Sequence, residues 1–200
     1  MTFARLSTSL VRTATCLLLA VSCLVSAQVT PPKQTVETAV NAILSILRNG
    51  DRALAATEDR IRDEISKVFD PRAMAQSVLS TNWRQASKEQ QDEFQNLFMK
   101  TLENTYMGRI EAYTNEVVEF RGESIDNNRA EVDTVIVTSN TEIPINYKLR
   151  LRDDGWFVYD VEVENVSMVG SYRETYRSVV RKDGMDGLLA QMREKAAQQQ

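Results

Sequence analysis

Histidine is absent from the 200-residue sequence, and cysteine occurs only at Cys16 and Cys23. Both cysteines lie in an N-terminal segment that has the organisation of an export signal. Without that segment the chain has no histidine base, no thiol nucleophile, no disulfide and none of the usual nitrogen or sulfur ligands of zinc and copper. Such a chain depends on a hydrophobic core, and the 173 residues after residue 27 are enough to build one.

The first 27 residues carry the pattern of a secretory signal peptide. Arg5 and Arg12 precede an apolar run over residues 17–25, and small residues end the segment at Ala27. The apolar run is shorter than the roughly 20 residues that a membrane-spanning helix needs. We therefore expect cleavage after residue 27 and export of the remaining chain.

Residues 20–23 read AVSC, which is similar to a lipoprotein cleavage box ending at Cys23. Ala20 stands where such a box usually has leucine, so we do not expect lipidation at Cys23. The sequence predicts a signal over residues 1–27 and a single domain over residues 28–200.

Positive charge is also scarce. The chain has 24 basic and 28 acidic side chains, and removal of Arg5 and Arg12 leaves 22 against 28, a net charge of −6. Nucleic acid is therefore not an expected partner. General adsorption to anionic membranes is disfavoured as well, although a local basic patch could still dock on one.

Catalytic and phosphate-binding motifs are missing from the sequence. The seven glycines are scattered at turns, and there is no Gly-x-Ser-x-Gly elbow or Ser-x-x-Lys pair. Asp160, among apolar strand residues, is the best candidate for a general acid or base. The stronger interpretation makes it a structural ion pair with Arg84 or Arg173, because a buried carboxylate without a partner is costly.

The first half of the chain has helical periodicity. Apolar residues recur at steps of three and four from Val36 up to Gly50, and again up to Phe69. Asp70 before a proline predicts a helix start. Ser87 with a glutamine three residues later forms a capping box that opens the longest predicted helix.

Near Tyr113 the period changes to that of strands. Four runs are separated by turn residues at 126–128, 139–140 and 153–155, and these connections are too short for parallel crossovers. Helical periodicity returns after Val169. We predict an α+β fold with a helical part over about 34–112, an antiparallel sheet over about 113–167 and C-terminal helices over about 168–195.

One ordered set of residues along the chain comprises Phe69, Asp70, Met74, Trp83, Arg84, Tyr147, Trp156, Val158, Tyr159, Asp160, Val161, Glu164, Val166, Ser167, Tyr172 and Arg173. Over roughly residues 34 to 195, this set resembles the periplasmic phospholipid-binding proteins of the MlaC or toluene-tolerance family. The chain departs from the pattern at Asn165, where glycine is expected. Asparagine tolerates the left-handed conformation that such a turn requires better than most residues do.

The resemblance implies a curved antiparallel sheet of about four strands, of the NTF2-like type, covered by helices. It implies a carrier without cofactor or metal that holds phospholipid acyl chains between sheet and helices. Its partners would be an inner-membrane ABC transporter complex with a lipid-binding ring and an outer-membrane lipoprotein-porin complex. We expect a monomer in the periplasm of a Gram-negative bacterium.

Candidate lining residues of such a cavity come from the helices, the sheet and the end of the sheet. They are Val78, Leu79, Leu97, Phe98, Leu102, Tyr106, Val135, Val137, Tyr147, Leu149, Val163, Val166, Met168 and Val169. A shift of one residue in strand register would exchange lining and exterior positions. Two other functions remain open: an exported enzyme on a similar fold with Asp160 as base, and a periplasmic chaperone or assembly module.

Overall fold

The computed structural model describes residues 29–49, 55–113, 116–152 and 155–198. The predicted signal over residues 1–27, including Cys23, lies outside the described residues. Within the described ranges, no helix is both long and apolar enough to cross a membrane.

The N-terminal part is helical, as the periodicity predicts. Its helices are α1 (Pro32–Asn49), α2 (Ala55–Val68), α3 (Pro71–Leu79), a 3-10 turn (Ser80–Arg84) and α4 (Lys88–Glu111). Asp70 caps α3 by accepting a hydrogen bond from the Ala73 N–H, and Ser87 forms the predicted capping box with Gln90 at the start of α4.

The predicted antiparallel sheet is present, and its strands follow one another in chain order. They are β1 (Val117–Asp126), β2 (Arg129–Val137), β3 (Glu142–Arg152), β4 (Gly155–Val163) and β5 (Val166–Ser167). The two-residue β5 adds a fifth strand to the four expected. A bulge lies between Lys148 and Leu149 of β3, where β4 contributes one extra residue, Tyr159.

The C-terminal helix α5 (Met168–Ala197) begins directly after β5. Gly184 interrupts it with φ 71° and ψ −177°, so α5 consists of two helical halves. A positive φ of this size is a left-handed backbone conformation that favours glycine. The two halves correspond to the C-terminal helices that the sequence predicts over about 168–195.

The buried hydrophobic side chains of the described residues form three clusters. The helix cluster joins α3, α4 and α5 through residues such as Phe94, Phe98 and Tyr176. The sheet cluster joins α1 to one face of the sheet, around Val132 and Leu149. A third cluster joins α1, α2 and the end of α4.

Two partly buried side chains, Phe69 and Met168, pack against both the helix cluster and the sheet cluster. Phe69 forms a parallel bridge with Val158 at the edge of β4, and Met168 is the first residue of α5. The boundary between the two clusters therefore runs along β4 and the start of α5.

Candidate functional site

A pocket of about 240 Å³ opens at this boundary. It lies between the end of α4, the end of β4, β5 and the first two turns of α5. Its lining residues are Tyr106, Val163, Val166, Met168, Ser171, Tyr172 and Thr175. One wall is aliphatic and the other carries hydroxyl groups, so the pocket is amphipathic.

Four of the predicted lining residues meet in this pocket: Tyr106, Val163, Val166 and Met168. Val166 is 61% exposed although it is apolar, and it forms part of the pocket rim. An exposed apolar rim next to a partly apolar pocket is a surface that can contact a hydrocarbon chain.

Other predicted residues lie deeper in the clusters on either side of the pocket. The helix cluster contains Val78, Leu79, Leu97, Phe98, Leu102 and Val169, and the sheet cluster contains Tyr147 and Leu149. The side chains of Phe98 and Leu149 are fully buried. These residues form core on both sides of the boundary, and a role in lining a wider cavity stays a prediction.

The prediction that Val135 and Val137 line the same cavity as Tyr147 and Leu149 is wrong, because the two pairs of residues lie on opposite faces of the sheet. Val132 stands opposite Tyr147 in the ladder, and residues that stand opposite each other share a face. Val135 and Val137 are separated from Val132 by odd numbers of residues and therefore point to the other face. The apolar run over residues 135–137 puts hydrophobic side chains on both faces, so the sequence alone does not reveal the parity.

The predicted ion pair of Asp160 with Arg84 or Arg173 is also wrong. The Asp160 carboxylate accepts hydrogen bonds from Ser167 Oγ at 2.6 Å and from the Val169 N–H at 3.0 Å. Arg173 instead donates through Nε to the Ser77 carbonyl at 2.8 Å. Asp160 can be buried because the Ser167 hydroxyl and one free amide in the first turn of α5, the Val169 N–H, satisfy the carboxylate near this helix N-terminus.

An ion pair between helix and sheet does exist, at Asp70 and Arg152. Asp70 Oδ2 lies 2.6 Å from Arg152 Nη1, and Asp70 Oδ1 accepts the 2.9 Å bond from Ala73 N that caps α3. The Asp70 backbone N–H also donates to the Val158 carbonyl at 2.9 Å. Asp70 therefore attaches α3 to both β3 and β4.

The turn between β4 and β5 shapes the pocket rim. Glu164 and Asn165 both have positive φ, 51° and 64°, and connect the paired residues Val163 and Val166. The expected left-handed conformation at Asn165 is confirmed. Glu164 adopts it as well, without the tolerance of asparagine or glycine, which places backbone strain next to the pocket.

Sequence reasoning missed three residues of the hydroxyl wall: Ser171, Tyr172 and Thr175. They follow Met168 by three, four and seven residues, and residues at these spacings lie on one face of a helix. The periodicity of α5 counted from Met168 could have found them.

Burial perturbs the tyrosines around this site. It raises the pKa of Tyr147 to about 12 and that of Tyr176 to about 12. The pKa of Tyr106 is also raised, first by burial and then by the neighbouring Tyr172, while Arg109 opposes the change. All three phenols therefore stay protonated at neutral pH and can donate hydrogen bonds.

A family model described as MlaC protein matches residues 37–194. The Haemophilus influenzae protein named intermembrane phospholipid transport system binding protein MlaC is 24% identical over 144 residues, which are 69% of this chain and 67% of the relative. Toluene tolerance protein ttg2D of Pseudomonas putida is 21% identical over 185 residues, 89% of this chain and 86% of the relative.

A solved structure has a similar fold. It is that of a phospholipid-binding protein from Ralstonia solanacearum in complex with a phospholipid. The two chains superpose with a TM-score of 0.77 at 25% sequence identity, and the match covers 85% of this chain and 99% of the other.

Proposed function

The chain belongs to the MlaC family, whose model spans residues 37–194, and we propose that it is a phospholipid-binding transport protein of the periplasm. The solved relative that shares its fold is a phospholipid-binding protein in complex with a phospholipid. The observation that carries the proposal for this chain is the amphipathic pocket at the boundary of the helix and sheet clusters.

The acyl chains enter at the aliphatic wall of the pocket, formed by Val163, Val166 and Met168. The pocket volume of about 240 Å³ lies below the range of roughly 300 to 1,000 Å³ that is usual for sites of drug-sized ligands. A two-tailed phospholipid is larger than such ligands. Full sequestration therefore requires the pocket to widen.

Widening occurs at the boundary between the helix cluster and the sheet cluster. Phe69 and Met168 contact both clusters there, whereas Val78, Leu102 and Leu149 belong to one cluster each. Separation of α4 and α5 from the sheet would expose apolar side chains to the acyl chains rather than to water. The deeper predicted residues would then line the cavity.

A lipid carrier needs to shield the acyl chains from water more than it needs a high affinity for them. Two acyl tails contain roughly 30 methylenes, and at about 0.8 kcal/mol each their gross transfer from water is on the order of 24 kcal/mol. This exceeds the ceiling of roughly 18 to 21 kcal/mol for noncovalent binding, so adding the contributions of all methylenes overestimates the binding free energy. Transfer from a bilayer into a dry cavity is nearly neutral, because both environments resemble hydrocarbon.

A nearly neutral exchange lets the protein release its cargo as readily as it takes it up. The family resemblance implies that the protein carries lipid between an outer-membrane lipoprotein-porin complex and an inner-membrane ABC transporter complex with a lipid-binding ring. Energy and direction come from these partners, since the sequence contains no nucleotide-binding motif. Asp160, with both carboxylate oxygens occupied, serves the structure and not an acid-base reaction.

A transfer assay tests the proposal. Lipid-free protein is incubated with vesicles of radiolabelled phosphatidylglycerol, separated by flotation and counted. We expect about one lipid molecule per protein and subsequent transfer to unlabelled vesicles. Retention of all label in the donor vesicles would rule out carrier function, and capture of unfolded polypeptide in place of lipid would favour a chaperone.

A further inference from the structure

The hydroxyl wall of the pocket has few hydrogen-bond donors to spare. Ser171 Oγ donates to the Ser167 carbonyl at 2.9 Å, and Thr175 Oγ1 donates to the Ser171 carbonyl at 3.1 Å. Both protons are thus already used within α5. These two hydroxyls can still accept hydrogen bonds, but they do not offer a donor to a ligand in this arrangement.

Tyr172 is partly occupied in the same way. Thr105 Oγ1 donates to the Thr101 carbonyl at 2.7 Å, and it lies 3.4 Å from the Tyr172 hydroxyl. Because the Thr105 proton is used, Tyr172 is the donor of this long contact. Tyr172 therefore has a partner on α4, although a weak one.

Two donor groups remain, the Tyr106 hydroxyl in the pocket lining and the Arg109 guanidinium beside Tyr106. The Arg109 guanidinium lies over the Tyr106 ring, 5.6 Å from its centre, and Tyr106 lines the pocket. Within the described ranges, neither the Tyr106 hydroxyl nor the Arg109 guanidinium makes a hydrogen bond or an ion pair. Arg109 is exposed, so its five N–H donors are accessible to a ligand next to Tyr106.

The ligand that suits these groups is an anion that only accepts hydrogen bonds. An ionised phosphodiester is such a group, and an arginine fork recognises it with two parallel charge-assisted bonds. We propose that Arg109 and the Tyr106 hydroxyl form a phosphate-binding subsite, which holds the headgroup phosphate of a phospholipid whose tails lie on the aliphatic wall. This inference rests on the proposed carrier function and adds a determinant of cargo selection to it.

The geometry separates the two ends of the ligand. Val163, Val166 and Met168 offer aliphatic surface in the pocket, and Tyr106 lines the same pocket from α4. Arg109, three residues further along α4, lies against the Tyr106 ring next to this lining. A lipid with tails but no phosphate gains only the aliphatic contacts. The subsite therefore discriminates phospholipid from diacylglycerol with the same acyl chains.

A purely structural role for Arg109 is the competing explanation. Arg109 lies in the last turn of α4, where a positive charge interacts favourably with the helix dipole. Arg48 is an exposed arginine in the last turn of α1 and lies outside this pocket. R48Q is thus a matched control, because it removes the same charge from the same kind of helix position.

In the test, lipid-free protein is incubated with mixed vesicles that contain equal amounts of phosphatidylglycerol and diacylglycerol with identical acyl chains. Native mass spectrometry then gives the ratio of the two bound lipids for wild type, R109Q, R109K, Y106F and R48Q. We expect wild type and R48Q to favour phosphatidylglycerol, and R109Q to lower the ratio about tenfold through loss of phosphatidylglycerol. R109K keeps the positive charge but cannot form two parallel hydrogen bonds, and Y106F loses only the hydroxyl. Both should give lipid ratios between those of wild type and R109Q.

An unchanged ratio in R109Q would overturn the subsite while the carrier function stands. Wild-type protein that binds both lipids equally would do the same. A protein that takes up neither lipid would overturn the carrier function and this inference with it. A rise in the melting temperature of lipid-free wild type with inorganic phosphate, absent in R109Q, would assign the site to free phosphate instead of a headgroup.

Discussion

The carboxylate of Asp160 on β4 accepts a 3.0 Å hydrogen bond from the backbone N–H of Val169 in the first turn of α5. Its second oxygen accepts the 2.6 Å bond from Ser167, whose own hydroxyl oxygen caps α5 by accepting from the Gly170 N–H. These bonds hold the start of α5 against the sheet, next to the pocket. The attachment is structural, and it positions Met168 at the boundary between the two clusters.

Loss of the Asp160 carboxylate should destabilise the fold. D160A leaves the buried Val169 N–H without its acceptor and removes the partner of Ser167, and we expect a decrease of about 2 to 4 kcal/mol in the free energy of unfolding. D160N keeps one carbonyl acceptor and should lose less. Urea denaturation followed by circular dichroism measures both, and a D160A variant as stable as wild type would refute this role.

Left-handed backbone at the pocket rim leads to a second prediction. Glu164 has φ 51°, and asparagine tolerates this conformation better. E164N should therefore raise the free energy of unfolding by roughly 0.5 to 1 kcal/mol. G184A is the reciprocal control, since it places a side chain at φ 71° and should destabilise by about 1 kcal/mol. Thermal denaturation checks both variants. A less stable E164N or a more stable G184A would contradict the argument from backbone conformation.

The buried tyrosines predict a loss of stability in alkali. Tyr147 and Tyr176 have folded-state pKa values of about 12, whereas the unperturbed value is 10.0. Between these values the unfolded chain releases the phenolic protons that the folded chain retains, so stability falls as the pH rises. The slope is up to about 1.4 kcal/mol per pH unit for each tyrosine.

Urea denaturation at pH 8, 10 and 11 checks this dependence. Relative to its own stability at pH 8, the Y147F/Y176F double variant should lose less than wild type at pH 11, because phenylalanine does not titrate. Equal losses in the two proteins would show that other groups cause the alkaline sensitivity.

Filling the pocket should block lipid uptake without unfolding the protein. Ser171 lines the pocket and is exposed on α5, so S171W adds bulk at the mouth with a change in stability of less than about 0.5 kcal/mol. We expect several-fold less phosphatidylglycerol uptake from vesicles. S178W is the matched control, because Ser178 is exposed two helical turns further along the same helix. Equal uptake by the two tryptophan variants would argue against entry at this pocket.

The secondary structure followed from local signals. Asp70 before proline and Ser87 with Gln90 start their helices as predicted, and the short turns determine an antiparallel sheet. The family resemblance covers residues 34 to 195 and agrees with the family match over residues 37–194.

Tertiary pairing was less accessible from the sequence. An ion pair between a helix and a strand exists, but it joins Asp70 to Arg152, which are 82 residues apart, and not Asp160 to an arginine. Many arginines could satisfy either carboxylate, and only the fold decides which one is near. The same holds for Val135. Residues 135–137 are all apolar, so the sequence does not show which of them points to which face of the sheet.

The most direct test of the carrier function is native mass spectrometry of the protein purified from the periplasm of a Gram-negative host without detergent, with lipid extraction from the same sample. The account predicts that most molecules carry the additional mass of a phospholipid, and that denaturation releases it. Protein that is consistently without lipid, and that also takes up none from phosphatidylglycerol vesicles, would contradict the account.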